Sequence, residues 1–299
     1  MRLIKDYMRN AKLRGGLNKL AEETFGISFE NWVTDGYFDG EYIPYSYEEN
    51  GRILANVSAN RMRFVQNGKE RFFIQIGTVM TAPDQRKKGY AAELMRQVIE
   101  DYQGTCDGIY LFANLSALGF YEKLGFQNGL EYRYLLKKEK MKKIREEAAK
   151  RERKEGFLPV SAEDQTVKQQ YEKALRDSKF FAALEQTNKY ALQMFYTSGL
   201  EDVWYCKDLD CYVVIEQDGT TLCLQSVLCQ NEIRLEQVLT RIREDYDRLM
   251  LGFAPKEADA GLFDAELYDG ADDYRLFYLG EKLAEIETEK LFFPVFSHA

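Results

Sequence analysis

The spacing of apolar and polar positions divides the chain into alternating helical and strand-like runs. Between Lys12 and Thr24, Leu13, Leu17, Leu20 and Ala21 recur on one helical face, and Gly26 follows as a stop signal. An aromatic, acidic stretch comes next, FENWVTDGYFDGEYIPYSYEENG. Two strand-like runs, ILANVSANRMRFVQ and KERFFIQIGTVMTA, meet at Asn67-Gly68, a strong hairpin signal. The loop PDQRKKGY then leads into a helix, AAELMRQVIEDY, with Ala91, Leu94, Met95 and Val98 on its apolar face. A buried strand (GIYLFAN), a short helix after Asn114 (SALGFYEKLGF) and a last strand (LEYRYLLK) complete an α/β half with mixed pairing.

The second half repeats that order. Helical runs over about 165–176 and 189–198 precede a hairpin, CYVVIEQDGTTLCLQSVLC, that turns at Asp218-Gly219. A helix is expected over IRLEQVLTRIREDY, then a strand, RLMLGF, and a strand pair, AELYDG with YRLFYLGEKL. From turn glycine to helix the first half uses about 21 residues (68 to 89) and the second about 14 (219 to 233). The shorter connection, VLCQNEI, holds neither glycine nor cation.

Length and charge refine this picture. At 299 residues the chain has room for about two domains, and 45% hydrophobic with 30% charged residues describes a globular protein. Aromatics at 14% suit a shaped pocket or an aromatic-rich core. Residues 1–136 are net neutral, residues 137–156 carry +5 and residues 157–299 carry −13. The middle segment, KKEKMKKIREEAAKRERKEG, is rich in helix formers and poor in apolar groups, so it reads as a solvated helical linker. Contact with nucleic acid through Lys142 and Lys143 is the alternative, opposed by the interleaved acids and the acidic second half. The division expected is 1–137, a linker over 138–156, and 157–299.

One histidine, His298, excludes a multi-histidine metal centre and an internal Ser-His-Asp triad. Five cysteines without a C-x-x-C pair argue against a disulfide framework and for a reducing compartment. The charged start MRLIKDYMRN is unlike a signal peptide, and apolar runs such as 72–76 and 291–296 are too short to span a membrane. A cytoplasmic location is expected.

The chemistry concentrates in GTVMTAPDQRKKGYAAELM. A strand, a glycine-containing cationic loop and a helix N-terminus together suit a pyrophosphate, because free backbone N–H groups and the helix dipole both favour an anion. Gly89 permits close backbone approach, and Arg86, Lys87 and Lys88 add charge. R-x-x-G-x-A alone also fits an ordinary strand–helix turn. In context the residues resemble the GNAT acyltransferase superfamily, whose Q/R-x-x-G-x-G/A loop is matched by Arg86, Gly89 and Ala91 after Thr81-Ala82-Pro83. Its second mark, an asparagine followed by F-Y-x-K-x-G-F, is matched by Asn114 and Phe120–Phe126. The resemblance covers roughly residues 15–137.

The resemblance implies an N-acyltransferase that moves an acetyl group from acetyl-CoA (acyl-CoA), its co-substrate, to an amine without a metal. It implies that Val79, Met80 and Thr81 bond the pantetheine arm. Arg86, Lys87, Lys88, Gly89, Tyr90, Ala91 and Ala92 would hold the pyrophosphate. Tyr121 matches the tyrosine that protonates the departing thiolate, with a core tyrosine as the alternative; Asn114 is a site residue or simply a helix N-cap. Two tandem GNAT-like folds are expected, the second degenerate for want of its loop. The partners implied are a small amine or peptide amine, with no membrane and no nucleic acid; a homo-oligomer stays open. The rival class is a non-catalytic acyl-CoA-binding regulatory protein.

The base is the open question. A lysine-like amine near pKa 10.4 is neutral in about one molecule in 2500 at pH 7, a cost of roughly 4.6 kcal/mol. Asp35, Asp39, Glu41, Glu48 and Glu49 in the aromatic stretch are candidates, each with a solvated loop carboxylate as its alternative. A backbone carbonyl acting through water is another. The group of enhanced-intracellular-survival acetyltransferases, also tandem, returns a terminal carboxylate to the active site; here FPVFSHA suggests that His298 and Ala299 do the same.

Overall fold

A computed structural model describes residues 1–149, 155–244 and 246–298. In the first half, β1 (Arg2–Lys5) leads to α1 (Ala11–Phe25), whose start is capped by Asn10 accepting from Leu13 N–H and whose end is Gly26 at φ +72. Helix α2 (Glu30–Thr34) follows, then β2 (Tyr42–Glu49), β3 (Arg52–Gln66) and β4 (Lys69–Thr81). The β3–β4 turn takes Asn67 and Gly68 at φ +46 and +83, as its sequence predicts. Next come α3 (Tyr90–Tyr102), β5 (Gly108–Asn114), α4 (Leu118–Glu122), β6 (Gln127–Gly129) and β7 (Glu131–Lys137).

The charged linker forms α5 (Lys138–Ala149). It is docked rather than simply solvated: Met141 is buried, Ile144 packs on the apolar cluster that holds Ile242 and Leu249, and Arg145 donates to the Ile242 carbonyl. The second half contains β8 (Leu158–Pro159), α6 (Gln165–Asp177), β9 (Leu184–Gln186), α7 (Tyr190–Thr197), β10 (Val203–Cys206), β11 (Cys211–Asp218) and β12 (Thr221–Cys229). After it come α8 (Leu235–Leu239), β13 (Arg248–Leu251), α9 (Glu257–Ala260), β14 (Asp264–Tyr268) and β15 (Tyr274–Leu279).

Helix α8 is much shorter than the 14 residues of pattern suggest. The reason is local competition. Beyond Leu239, the carbonyl of Arg241 accepts from Phe157 N–H and that of Ile242 from Arg145, so tertiary partners replace the helical ones.

Two sheets result, and they exchange strands. The first runs β1-β2-β3-β4-β5-β15-β6, with β9 added at the far end of β3; the second runs β14-β7-β13-β12-β11-β10-β8. Strand β7, expected to close the first sheet, lies in the second between β13 and β14. Strand β15, expected to pair with β14, inserts instead between β5 and β6. A Cβ on Gly108 would sit 2.5 Å from Leu283 and 2.8 Å from the Leu279 carbonyl, so glycine lets the returning chain close on β5.

The halves also share a core. Trp32 on α2 donates its indole N–H to the Ala191 carbonyl on α7 at 2.7 Å, within a cluster that mixes residues of both halves. Arg14 binds Glu30 through two nitrogens, at 2.8 and 2.6 Å, and its third contact is the Met8 carbonyl. That bidentate pair fixes α1 against α2, and it holds the Glu30 carboxyl below its usual range.

Candidate active site

The site begins as a break in strand pairing. Strands β4 and β5 run parallel and bonded only from Phe73 to Ile76 and from Gly108 to Leu111. Just beyond, the β3–β4 register shifts between Asn56 and Ser58, and Thr78 takes φ +43. This bulge is pinned from three sides. Asn56 donates to the Thr78 carbonyl at 2.9 Å, and the Thr78 hydroxyl meets Ser58 Oγ at 2.8 Å and Tyr42 OH at 2.6 Å. Strand β4 therefore leaves its neighbour, and a cleft of about 480 Å³ opens between Gly77–Val79 and Phe112–Asn114.

The loop from Arg86 to Gly89 leads into α3, whose Ala91 lines that gap. Lys87 and Gly89 both take left-handed φ, +65 and +86, and α3 starts at Tyr90 with no side-chain cap. Its first N–H groups are thus left for a ligand, the arrangement that suits a pyrophosphate. Lys87 and Lys88 are exposed; Lys88 reaches Gln85 Oε1 at 2.8 Å and Arg86 reaches the Thr81 carbonyl at 3.3 Å. Arg52 grips Asp84 through two bonds, which braces the loop and holds that carboxyl well below the usual range.

The expected pantetheine residues divide. Val79 and Ala91 line the cleft, and Ala92 lies beside Ala91 in the first turn of α3. Met80 is buried and Thr81 half-buried, neither at the cleft, and the stretch of β4 that lines it comprises Gly77, Thr78 and Val79. Gly77 within a strand was the available signal for that bulge.

Tyr121 on α4 and Asn114 at the end of β5 line the same cleft. Asn114 makes no capping bond, so the helix-cap role is not what holds it there. Tyr121 packs against Phe126 and Phe277, and burial pushes its hydroxyl up to about 12. From the second half, Tyr196 on α7 and His298 reach the cleft too. Tyr196 carried no sequence signal, because nothing local links α7 to the first sheet.

None of the five candidate acids lines the cleft. Asp39 and Glu41 lie in a separate hollow with Trp32 and Tyr42, where Glu41 pairs with Arg61 at 2.8 Å. Glu48 is taken by Arg2 and Gly51 N–H, Glu49 by the amino terminus, and Asp35 closes α2. Cations distant in sequence thus pair with Glu41, Glu48 and Glu49. Among the described cleft residues there is no carboxylate; Ala299 lies outside them.

The tail does arrive. The His298 ring stacks on Phe112 at 3.6 Å between centroids, meets Tyr274 edge-on, and its carbonyl accepts from Tyr196 OH. Its Nε2 is buried with no hydrogen-bond partner among the described residues. Burial, and then the charge of Arg133, lower its pKa to about 3, so the ring is neutral at pH 7.

A mixed sheet that splays at a bulge, followed by an uncapped, glycine-started helix, is an arrangement able to receive a ligand that carries a pyrophosphate. Residues 6–126 match the acetyltransferase (GNAT) family model. No curated protein matches it. A GCN5-related N-acetyltransferase from Kribbella flavida shares its fold at 16% identity and a TM-score of 0.56, over 93% of this chain and 71% of that one. A probable N-acyltransferase from Enterococcus faecalis V583 does so at 14% and 0.54, over 95% and 73%. A GCN5-related N-acetyltransferase from Anabaena variabilis does so at 14% and 0.55, over 93% and 72%. The likeness of fold thus extends over both halves. Among the described residues no cluster could hold a metal ion, and no helix is long and apolar enough to cross a membrane.

Proposed function

We propose that the protein transfers an acetyl group from acetyl-CoA to an amine by direct attack in the β4–β5 cleft. The splay beside the uncapped N-terminus of α3 carries this reading. The edge at Gly77–Val79 bonds the pantetheine arm, and the N–H groups after Gly89, with Arg86, Lys87 and Lys88, hold the pyrophosphate. The amine lone pair attacks the thioester carbon, the C–S bond breaks and Tyr121 gives its proton to the departing sulfur, while the proton shed by the nitrogen restores the Tyr121 hydroxyl through solvent and Asn114 orients the acyl group.

The structure sharpens two demands. With its hydroxyl near 12, Tyr121 protonates a thiolate near 8.5 some 3.5 units uphill, about 5 kcal/mol in the resting state. It acts only as charge builds on sulfur. In addition, an amine that arrives neutral avoids the cost of deprotonating an ammonium. That favours acceptors of low pKa, such as an α-amine near 7.7–8.0, of which roughly one in ten is neutral at pH 7. Tyr121→Phe, assayed by CoA-thiol release over an amine panel, is expected to lose on the order of 10²–10⁴ in kcat while keeping acetyl-CoA affinity. Acetyl-CoA binding with no turnover on any amine would instead favour a non-catalytic acyl-CoA-binding protein.

A further inference from the structure

The second sheet contains a copy of the splay, and it is not empty. Strands β12 and β13 run parallel from Thr221 to Leu224 and from Arg248 to Leu251, four residues, as β4 and β5 do. The β11–β12 register then shifts at Val214/Ile215, the counterpart of the bulge at Asn56/Ser58. In the first sheet the resulting gap is the cleft. In the second, Pro294 and Phe296 lie against Gln225, Ser226 and Phe253, and only about 30 Å³ remains open. Val295 N–H donates to the Gly252 carbonyl at 2.9 Å, so the tail bonds the β13 side of the gap, the wall opposite the β12 edge that corresponds to Gly77–Val79. Gly252 stands directly after Leu251 as Phe112 stands after Leu111, and a Cβ there would lie 2.3 Å from Gln225 Oε1.

On both sides of this plug the tail is tied down. Upstream, Leu291 carbonyl accepts from Tyr132 N–H at 2.9 Å and Phe293 N–H donates to Glu131 Oε1 at 2.9 Å. Downstream, Tyr196 OH donates to the His298 carbonyl, and within the tail Ser297 N–H and Oγ both bond the Pro294 carbonyl at 2.7 Å and His298 N–H bonds that of Val295 at 3.2 Å. The next group along is the His298 ring in the catalytic cleft.

We infer that the splay of the second fold, the counterpart of the acyl-CoA cleft, has become a clamp on Pro294–Phe296 that sets His298 in the catalytic cleft. The second domain is then a positioning device for the first domain's reaction. Phe296 and Gly252 are positioning residues, while the unpartnered Nε2 of His298 is the group they present to the bound substrates. The transfer step itself rests on the function proposed above; the seating of His298 does not.

The chain's single histidine makes that seating measurable. Full chain labelled with ¹⁵N at histidine gives one imidazole. Phe112 and Tyr274 contact it, Tyr196 and Tyr121 line the same cleft, and Arg133 is the charge that acts on it. The ring is expected not to titrate between pH 5 and 8. In Phe296→Ala, which empties the plug, and in Gly252→Val, which crowds it, the ring is expected to titrate near the ordinary 6.5. Both variants should keep acetyl-CoA affinity and lose on the order of tenfold to a hundredfold in kcat. Combined with His298→Ala, neither should cost more than His298→Ala alone. A ring that stays silent in both variants with unchanged kcat overturns the clamp, as do losses that multiply with that of His298→Ala. A ring that responds in a protein that acetylates no amine leaves the clamp standing and removes the proposed reaction.

Discussion

Glu131 provides a severe test of the packing between tail and sheet. It opens β7 at 1% exposure, and its Oε1 accepts from Phe293 N–H. Burial raises its pKa from 4.5 to about 8, against smaller opposing effects of that bond and of Arg133. The native state therefore keeps a proton that the unfolded chain releases above pH 4.5. The stability contributed by this group is complete below about 4.5 and is lost as pH rises toward 8. The loss is about 1.4 kcal/mol per pH unit, or roughly 4 kcal/mol between pH 5 and 8. Glu131→Gln keeps an oxygen for Phe293 and removes the titration. Urea unfolding at pH 5, 6, 7 and 8 should show the two proteins close at pH 5 and the variant progressively more stable above it. His298, lowered to about 3, has the opposite slope between 3 and 6.5, but it is present in both proteins and cancels in the difference. A stability difference that stays constant across the range would refute the protonated, buried state of Glu131.

Two further outcomes follow from the fold. Gly89→Ala places a Cβ where nothing lies within 4 Å but φ is +86, so the cost is conformational, about 1–2 kcal/mol. It should appear as lower urea stability or, if the loop relaxes, as a raised acetyl-CoA KM; an alanine variant normal in both would show that the left-handed residue is unnecessary. Residues 1–137 expressed alone lack β15, which lies between β5 and β6 and buries Leu276 and Phe277, so no cooperative unfolding transition is expected. A sharp thermal transition from that fragment would contradict the interlocked sheet.

Features written in local code were legible in the sequence. The Asn10 cap and Gly26 stop of α1, the Asn67-Gly68 turn and the loop into α3 each depend on neighbours a few residues away. Features that depend on distant partners were not. β7 and β15 look like strands, but which sheet each joins is decided by chain that follows much later, with Gly108 and Gly129 as the only local traces. The acids between Asp35 and Glu49 suggested a charged cleft because Arg2 and Arg61, which neutralise Glu48 and Glu41, stand elsewhere in the sequence. The tail's aromatic ending did point inward; that it passes through the second fold's gap required the register of β12 and β13.

The exchange of strands also sets the order in which a ribosome can deliver a working molecule. Arg86, Gly89 and Tyr121 are synthesised early, yet the sheet that carries their cleft stays one strand short until Leu279 has emerged. At about 5–20 residues per second, the roughly 150 residues between β6 and β15 take on the order of ten to thirty seconds. Throughout that interval the edge of β5 that β15 later covers is open, the kind of edge that invites pairing with other chains. A chain cut short before Tyr274 therefore lacks the strand that joins β5 to β6.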